Sequence, residues 1–344
     1  MRRVRRIRFA DFPYASVLVI SPHPDDSVLG CGGLVFKLTS HRETRSRVKI
    51  TVCSMTPGYH GVDSDFFRES ETFGRENLLD WPGVPDTELA DDSRLIAALR
   101  DRLGDDFDLY SNPGEDDQKK LDNVIRTAIR FGESCREVET LGLRAASALR
   151  FLALPRLYSK CICTAELVRL REQLSQAADP EECNLLLVPH PDDPQPAHQA
   201  VTEAALRALD PALKWHIWYY QSPWYRMPPC AIDAIVPLND EELYRKRAAA
   251  ETHRSQTIRT PYGKYAMSGA SLNADILPEL LLGFGSRRPN AFGKYCEVFQ
   301  MRLPSFYACN SEPPELVICS DDPLPIDAEL ACGESSATPQ RRRG

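Results

Sequence analysis

The sequence contains no long apolar run and no Cys-x-x-Cys pair. A membrane-spanning helix needs about 18 consecutive apolar residues, and no window of the chain comes near that length, so no membrane span is expected. The eleven cysteines are scattered along the 344 residues, which excludes a zinc ribbon and a disulfide framework. Thiols buried in a reducing compartment are the better interpretation, and a cytoplasmic location is predicted.

A surplus of basic residues is also absent. The formal net charge is −7, and no segment interleaves aromatic with basic residues, so nucleic acid is not an expected partner. Residues 1–8 are basic, but no signal-type apolar region follows them, and a solvated tail is predicted there. Hydrophobic residues account for 42% of the chain, which is enough for a sizeable core in one large or two ordinary domains.

The most informative stretch of the chain follows a short apolar run, residues 17–20, which is typical of a buried parallel strand. The letters SPHPDDSVLGCGG come next, and a helix is predicted over residues 28–37. His23, Asp25 and Asp26 therefore lie in the turn from the carboxyl end of a strand into a helix. Open α/β sheets place their ligands at such turns.

These three side chains have a spacing that suits metal chemistry. Residues three apart share one face in the first turn of a helix, so His23 and Asp26 converge while Asp25 points elsewhere. One imidazole and one carboxylate are two of the three protein ligands that a catalytic zinc site needs. The neighbouring carboxylate is free to act as a base.

Two interpretations without a metal compete with this one. A nucleotide-binding loop is disfavoured, because the glycines of Gly30-Cys-Gly-Gly33 lie too far inside the helix to cradle a phosphate. A simple helix cap is also disfavoured, because one histidine, two prolines and two aspartates within residues 22–26 are more than a cap requires.

A second unit repeats the order of strand, loop and helix. Residues 184–188 are predicted as a buried strand, followed by the letters PHPDDPQPAH and by a helix predicted over residues 199–209. Such a loop is the expected source of a third metal ligand. The candidate is His198, with His190 as the rival. Another loop histidine, His60, follows an earlier strand and is expected to be solvated.

The rest of the chain indicates one α/β domain with an insertion. Residues 63–131 are highly charged, with helical patterns separated by turn signals, and are predicted to form a helical insertion. Further strands are predicted over residues 215–220, 231–238 and 295–301. The domain is predicted to span residues 1–303, and residues 304–344 are rich in proline and acidic residues and are predicted to be a disordered tail.

These motifs resemble those of the LmbE-like (PIG-L) zinc de-N-acetylases. The segment Pro22-His-Pro-Asp-Asp-Ser27 is similar to the family's Pro-His-Pro-Asp-Asp-Glu motif, and Asp193-Pro-Gln-Pro-Ala-His198 is similar to its Asp-x-His-Pro-Asp-His motif. Later family motifs, Lys-x-x-Ala with His-x-Ser-Gln and a terminal Tyr-x-Glu-x-Phe, are matched by Lys246, Ala249, His253, Ser255, Gln256, Tyr295, Glu297 and Phe299.

The resemblance implies a fold, a cofactor and a reaction. The fold would be a Rossmann-like three-layer α/β sandwich with a mostly parallel sheet. One Zn²⁺ ion would be held by His23, Asp26 and His198, with Asp25 as the general base. The reaction would be hydrolysis of the acetamide of an N-acetylglucosamine-type unit, so the expected partner is an N-acetylated sugar conjugate.

The second motif departs from the family pattern. Gln195 stands in place of its first histidine, and Ala197 stands in place of its aspartate. Gln195 can donate a hydrogen bond to a developing oxyanion but cannot carry a proton, so it is predicted to be a catalytic residue of a slower enzyme. The loss of an aspartate at position 197 is expected to weaken the orientation of a metal ligand.

The family's Arg-x-x-Glu helix has two candidates, which begin at Arg68 and Arg136. The second is favoured, because a strand predicted over residues 151–155 follows it. Arg136 is therefore predicted to bind substrate.

Two other functions remain open. One is a weakly active or inactive homologue that binds a sugar, which the changes at Gln195 and Ala197 motivate. The other is a zinc amidase that acts on a non-sugar N-acyl substrate. The sequence indicates neither the aglycone nor the oligomeric state.

Overall fold

A computed structural model describes residues 4–159, 161–257, 295–302 and 316–321. Within these ranges one sheet contains the strands β1 (Val4–Ile7), β2 (Ser16–Ser21), β3 (Lys49–Ser54), β4 (Leu149–Phe151), β5 (Cys183–Pro189), β6 (Lys214–Tyr220), β7 (Ala234–Leu238), β8 (Tyr295–Arg302) and β9 (Leu316–Cys319). Their order across the sheet is β1-β9-β7-β8-β6-β5-β2-β3-β4. Strand β8 is antiparallel to both neighbours, and the other pairs are parallel. The predicted α/β class with a mostly parallel sheet is confirmed.

The same ranges contain the helices α1 (Asp26–Ser40), α2 (Arg42–Arg45), α3 (Ser64–Asn77), α4 (Asp92–Leu103), α5 (Asp117–Thr140), α6 (Ala145–Ala148), α7 (Thr164–Ala177), α8 (Pro196–Ala208), α9 (Asp240–Glu251) and α10 (Arg254–Thr257). Local chemistry sets where several of them begin. Pro196 opens α8, where its missing N–H would have had no partner in the helix. Asp63 caps α3 by accepting the backbone N–H groups of Asp65 and Phe66.

Strand β2 shows how the layers are built. All of its side chains are buried, as expected of a central parallel strand, and they alternate between two faces. Val17 and Val19 belong to the apolar cluster that includes α1, whereas Leu18 and Ile20 belong to the cluster that includes α7 and α8. A sheet with helices on both faces is the three-layer sandwich that the resemblance implies.

The chain leaves β2 and β5 in opposite directions, and a crevice lies between them. Through α1 the chain passes from β2 to its neighbour β3, and through α8 it passes from β5 to β6 on the other side. Strands β2 and β5 are themselves paired, with Val19 opposite Leu187. Ligands of open α/β sheets bind at such a switch point, beyond the carboxyl ends of the strands. Both histidine-containing loops begin there.

Helix α1 is anchored on the sheet by close packing and by buried charge. An added Cβ at Gly30 would lie 2.3 Å from the ring of Tyr220, so only glycine allows this approach. The buried carboxylate of Glu297 accepts two backbone N–H groups of α1, at 2.7 and 2.8 Å, and lies 2.6 Å from Lys246 Nζ. Strand β8 and helix α9 thus hold the helix whose first residue is the candidate ligand Asp26.

The charged region contains the helices α3 and α4 and the start of α5, and its role as an insertion stays a prediction. Helices α3 and α4 and the N-terminal half of α5 share an apolar core that includes Phe66, Leu95 and Leu99. Helix α5 is continuous, so the predicted boundary at residue 131 falls inside it. Gly132 is typical of a helix break, but here it allows close packing, because an added Cβ would lie 2.4 Å from Asn77.

Both ends of the chain contribute a strand, and the prediction of two unstructured ends is wrong in this respect. Strand β1 lies in the basic start and β9 lies in the predicted tail, and the two pair in parallel at one edge of the sheet. Strand β9 also pairs with β7. Each strand is short, so its own pattern is a weak signal, and pairing supplies its structure. The other residues of the predicted tail lie outside the described ranges.

Across the described ranges, no helix has the length and apolar character needed to cross a membrane. The cysteines described there are free thiols. The cytoplasmic location stays a prediction.

Candidate metal centre

The loops after β2 and β5 bring three candidate ligands to one point. Asp26 Oδ2 lies 3.0 Å from His23 Nδ1 and 3.1 Å from His198 Nε2. The two ring nitrogens are 3.3 Å apart. Asp26 and His198 are buried, whereas His23 is partly exposed. The three residues proposed from the sequence therefore form one cluster.

These spacings fit a tetrahedral metal ion. Zinc ligands lie about 2.0–2.2 Å from the metal, so two of them at the tetrahedral angle are about 3.3 Å apart. The observed separations of 3.0, 3.1 and 3.3 Å are close to that value. Two imidazoles and one carboxylate are also a donor set that catalytic zinc sites use. The residues present therefore fit the metal that the resemblance implies.

The rival ligand, His190, is engaged elsewhere. Its Nε2 lies 2.5 Å from Gln300 Oε1, and its Nδ1 accepts the backbone N–H of Asp192 at 3.1 Å. Its ring also stacks on Tyr225, with centroids 4.3 Å apart. The structure therefore brings His198, and not His190, to the other two ligands.

A second carboxylate orients His198. His198 Nδ1 lies 2.8 Å from an oxygen of Asp193, which is fully buried. Asp193 also accepts hydrogen bonds from the Ser222 hydroxyl and from the backbone N–H of Gln195. Because Nδ1 donates to the carboxylate, Nε2 carries the lone pair and faces the cluster. Asp193 thus supplies an orienting carboxylate despite the alanine at position 197.

Electrostatic interactions within the cluster shift the pKa values of Asp26 and His198. Burial alone would raise the pKa of Asp26, but His198 and His23 lower it well below its ordinary value. Burial alone would lower the pKa of His198, but Asp26 and Asp193 raise it to about 10. A proton and a metal ion compete for the same lone pair on His198 Nε2, so metal affinity falls as the pH falls.

Asp25 lies beside the ligand set and contacts an arginine. Its Oδ2 is 2.9 Å from Nη2 of Arg130, and both side chains are buried. Arg130 in turn contacts Glu133 Oε2 at 2.8 Å and Ser255 Oγ at 3.0 Å. The arginine holds one oxygen of Asp25, and the cluster of three ligands does not include this carboxylate.

A buried hydrogen-bonded network connects α5 with α10 and with the first turn of α1. Glu133 accepts the backbone N–H and the hydroxyl of Ser255, both at 2.7 Å. His253 Nε2 lies 2.6 Å from Glu137 Oε2, and Glu137 Oε1 accepts the hydroxyl of Ser27 at 2.6 Å. Burial alone would lower the pKa of His253, but Glu133 and Glu137 raise it to about 9. The protonated ring of His253 thus offsets part of the negative charge of the buried Glu133 and Glu137 side chains.

The residue predicted to bind substrate, Arg136, lies away from this network. Its side chain is exposed, and its guanidinium carbon is 4.3 Å from the centroid of the Phe73 ring. Positions 130 and 136 are about 120° apart around a helix, so Arg130 and Arg136 face different sides. Arg130 and Glu133 share the Arg-x-x-Glu spacing, so the sequence already carried the signal for the arginine at the site.

Gln195 immediately precedes α8. Its backbone N–H donates to Asp193 Oδ1 at 2.8 Å, and its side chain is partly exposed. The backbone contact shapes the loop that carries His198. The catalytic role of the Gln195 side chain stays a prediction.

Known proteins share this sequence pattern. A profile of the PIG-L family, described as GlcNAc-PI de-N-acetylase, matches residues 18–209, which is more than half of the chain. A protein of Bacteroides thetaiotaomicron described as glucosamine-6-phosphate deaminase-like is 26% identical over 270 residues. That match covers 73% of this chain but only 37% of the relative, so the chain spans little more than a third of that curated protein's length.

One solved structure supports the fold. A conserved protein of Thermus thermophilus superposes with a TM-score of 0.50 and 17% identity, covering 86% of this chain and 99% of that one. The N,N′-diacetylchitobiose deacetylase of Pyrococcus horikoshii gives a TM-score of 0.49 with 18% identity and 87% coverage of each chain. At 17% identity, the likeness to the Thermus thermophilus protein shows the fold alone. Because the profile match contains both ligand-bearing loops and more than half of the chain, this protein is a member of the PIG-L (LmbE-like) family.

Proposed function

We propose that the protein is a zinc-dependent hydrolase that removes the acetyl group from an N-acetylglucosamine-type unit of a sugar conjugate. The observation that carries this proposal is the cluster of His23, Asp26 and His198 with Asp25 beside it. Membership of a family described as a de-N-acetylase supports it.

The side chains of the site divide the work of hydrolysis. His23, Asp26 and His198 would hold zinc, whose Lewis acidity polarises an amide carbonyl and lowers the pKa of water. Asp25 accepts a proton from the attacking water as the water oxygen bonds to the carbonyl carbon. It returns that proton to the nitrogen as the C–N bond breaks. The products are acetate and the free amino sugar.

Arg130 positions the base. Its contact with Oδ2 leaves the other carboxylate oxygen of Asp25 for the water. Because Glu133 and Ser255 hold Arg130, Asp25 cannot turn toward the metal ligands without breaking a buried ion pair. The base and the ligand set therefore stay separate.

A weakly active homologue that binds a sugar is the second candidate function. The replacement of two motif residues by Gln195 and Ala197 favours it. Acetate release from N-acetylglucosaminides by the zinc-loaded protein supports the enzyme, whereas sugar binding without acetate release supports the second function. The same assay with non-sugar N-acyl compounds tests for a zinc amidase.

His198→Ala is expected to weaken zinc binding by on the order of 100-fold, because it removes one of three protein ligands. Competition with a chromogenic chelator measures the affinity, and circular dichroism checks the fold. His190→Ala is the matched control and should bind zinc like the parent protein. Loss of zinc from the control, with retention by His198→Ala, would transfer the ligand role to His190.

Asp25→Asn is expected to retain zinc and to lower kcat by about 10²–10⁴-fold, because an amide cannot take up the proton. Acetate release at saturating zinc measures the effect. Asp192→Asn is the control, since Asp192 is an exposed carboxylate in the other loop. Near-normal turnover by Asp25→Asn contradicts the base role.

Arg130→Lys is expected to lower kcat by on the order of 10–100-fold with little change in KM. A lysine lacks the planar fork that bridges Asp25 and Glu133, so the base loses its position. Arg136→Lys, on the exposed side of the same helix, is the matched control and should behave like the parent protein. Equal losses in the two variants would show that Arg130 has no special positioning role.

Gln195→His is expected to raise kcat by up to about tenfold. A charged donor is about twice as strong as a neutral one at an oxygen that gains negative charge. Turnover is compared at equal zinc content, so a change in metal affinity does not contribute. Unchanged or lower turnover in a folded, zinc-loaded variant contradicts the oxyanion role of Gln195.

A further inference from the structure

A cleft of about 1000 Å³ opens beside the metal cluster. Its walls include parts of the 3₁₀ segments Gly104–Tyr110 and Pro155–Ser159 and the N-terminal half of α5. Tyr158 joins the cleft to the cluster, because its ring centroid lies 6.4 Å from that of His23. The ring of His60 is 4.9 Å from Tyr158 on the cleft side and is exposed, as expected from the sequence.

The cleft is lined by more basic than acidic side chains: Lys119, Lys120, Arg126, Arg156, Asp108 and Glu115. Lys120 is paired with Asp108 at 2.6 Å, and Arg156 lies 3.8 Å from Glu166. Glu115 accepts the backbone N–H of Asn112 at 2.9 Å and thereby closes the turn before α5. In the described ranges, this leaves Lys119 and Arg126 as the lining cations without an acidic partner.

Arg126 is buried although it lines the cleft, with only 8% of the residue exposed. Its guanidinium carbon lies 4.2 Å from the centroid of the Phe67 ring, and its N–H groups donate to the Val62 carbonyl and to Ser64 Oγ. In the part of the chain that the structure describes, no carboxylate forms an ion pair with it. Burial lowers the pKa of Arg126, and the more distant charges of Asp122 and Asp63 offset this only in part. A buried cation that its neighbours compensate only in part favours a further anion, and a guanidinium has five N–H donors that suit a phosphate or a carboxylate.

Lys119 adds a second positive charge to the same wall. It is exposed and lies two helical turns before Arg126, on the same face of α5. Burial lowers the pKa of His60, and the charges of His23 and Lys119 lower it further. The positive charge of Lys119 thus acts on His60, another residue of the cleft wall.

We propose that this cleft binds an anionic group, a phosphate or a carboxylate, on the aglycone of the sugar conjugate, with Arg126 and Lys119 as its contacts. The proposal rests on the deacetylase function proposed above, which places the acetamide at the metal cluster. The volume is at the upper end of the range for small-molecule sites, so an aglycone has room beside the sugar. Selection of the conjugate then depends on the helical insertion.

The test is equilibrium binding to the zinc-loaded protein, measured by calorimetry. Three N-acetylglucosamine conjugates are compared, with aglycones of equal length that end in a hydroxyl, a carboxylate or a phosphate. At least one anionic conjugate is expected to bind about threefold to tenfold more tightly than the neutral one. The preference should shrink as salt is added, because exposed charges are screened. The tighter of the two anions identifies the chemical group.

Substitutions of Lys119 and Arg126 test whether these two cations cause the preference for an anionic conjugate. Lys119→Gln should weaken binding of the preferred anionic conjugate by about threefold to fivefold and leave the neutral one unchanged. Arg126→Lys keeps the charge but loses the planar donors, so it should weaken that conjugate by on the order of tenfold. The double change Asp108→Asn with Lys120→Gln is the control. It removes an ion pair from the same cleft without changing its net charge, and the preference should persist.

Equal affinity for the three conjugates, or an equal effect of Lys119→Gln on all three, overturns the proposal for the cleft. Acetate release is recorded separately from binding. Charge-selective binding without acetate release contradicts the deacetylase function and supports the anion site. Acetate release without charge selection supports the deacetylase function and overturns the anion site.

Discussion

Three ligand atoms within 3.3 Å of one another are the constraint on which this structure depends. A buried carboxylate between two imidazoles is stable only while positive charge stays beside it, as protons or as a metal ion. The fold keeps the three groups together by fixing both loops. Glu297 and Lys246 anchor α1, and Asp193 fixes the ring of His198. The switch point between β2 and β5 places these anchored loops side by side.

A second group of buried charges runs alongside the first and has a different task. Asp25, Arg130 and Glu133 form a chain of ion pairs, and His253 and Glu137 continue it to the first turn of α1. Buried ion pairs contribute little to the net free energy of folding, and what they provide here is a defined geometry. The geometry here keeps a carboxylate next to the metal ligands without letting it join them. His253 and Ser255 of the His-x-Ser-Gln motif thus act on Asp25, the proposed base, through Arg130.

Helix α5 connects the cleft that is proposed to bind an anionic group with the candidate metal centre. Its N-terminal half lines the cleft with Lys119 and Arg126, and its C-terminal half supplies Arg130, which contacts Asp25. A continuous helix of 24 residues is a stiff element, so the two functions share one rigid support. The helices α3 and α4 pack on the first half of α5. The proposed aglycone subsite and the arginine that contacts Asp25, the proposed base, therefore lie on the same helix.

The sequence by itself determined the two strand–loop–helix segments. It also determined that the turn into the first helix brings the His23 imidazole and the Asp26 carboxylate to one face and leaves the Asp25 carboxylate on another. Short-range periodicity encodes these features. The sequence favours His198 but keeps His190 as a rival, because the direction of each ring depends on how the second loop folds over the switch point. Arg130 was missed in favour of Arg136, because identical spacings look alike until the packing of α5 turns one of them toward Asp25. Strands β1 and β9 likewise form only because partners more than 300 residues apart pair at the sheet edge, which no local pattern reports.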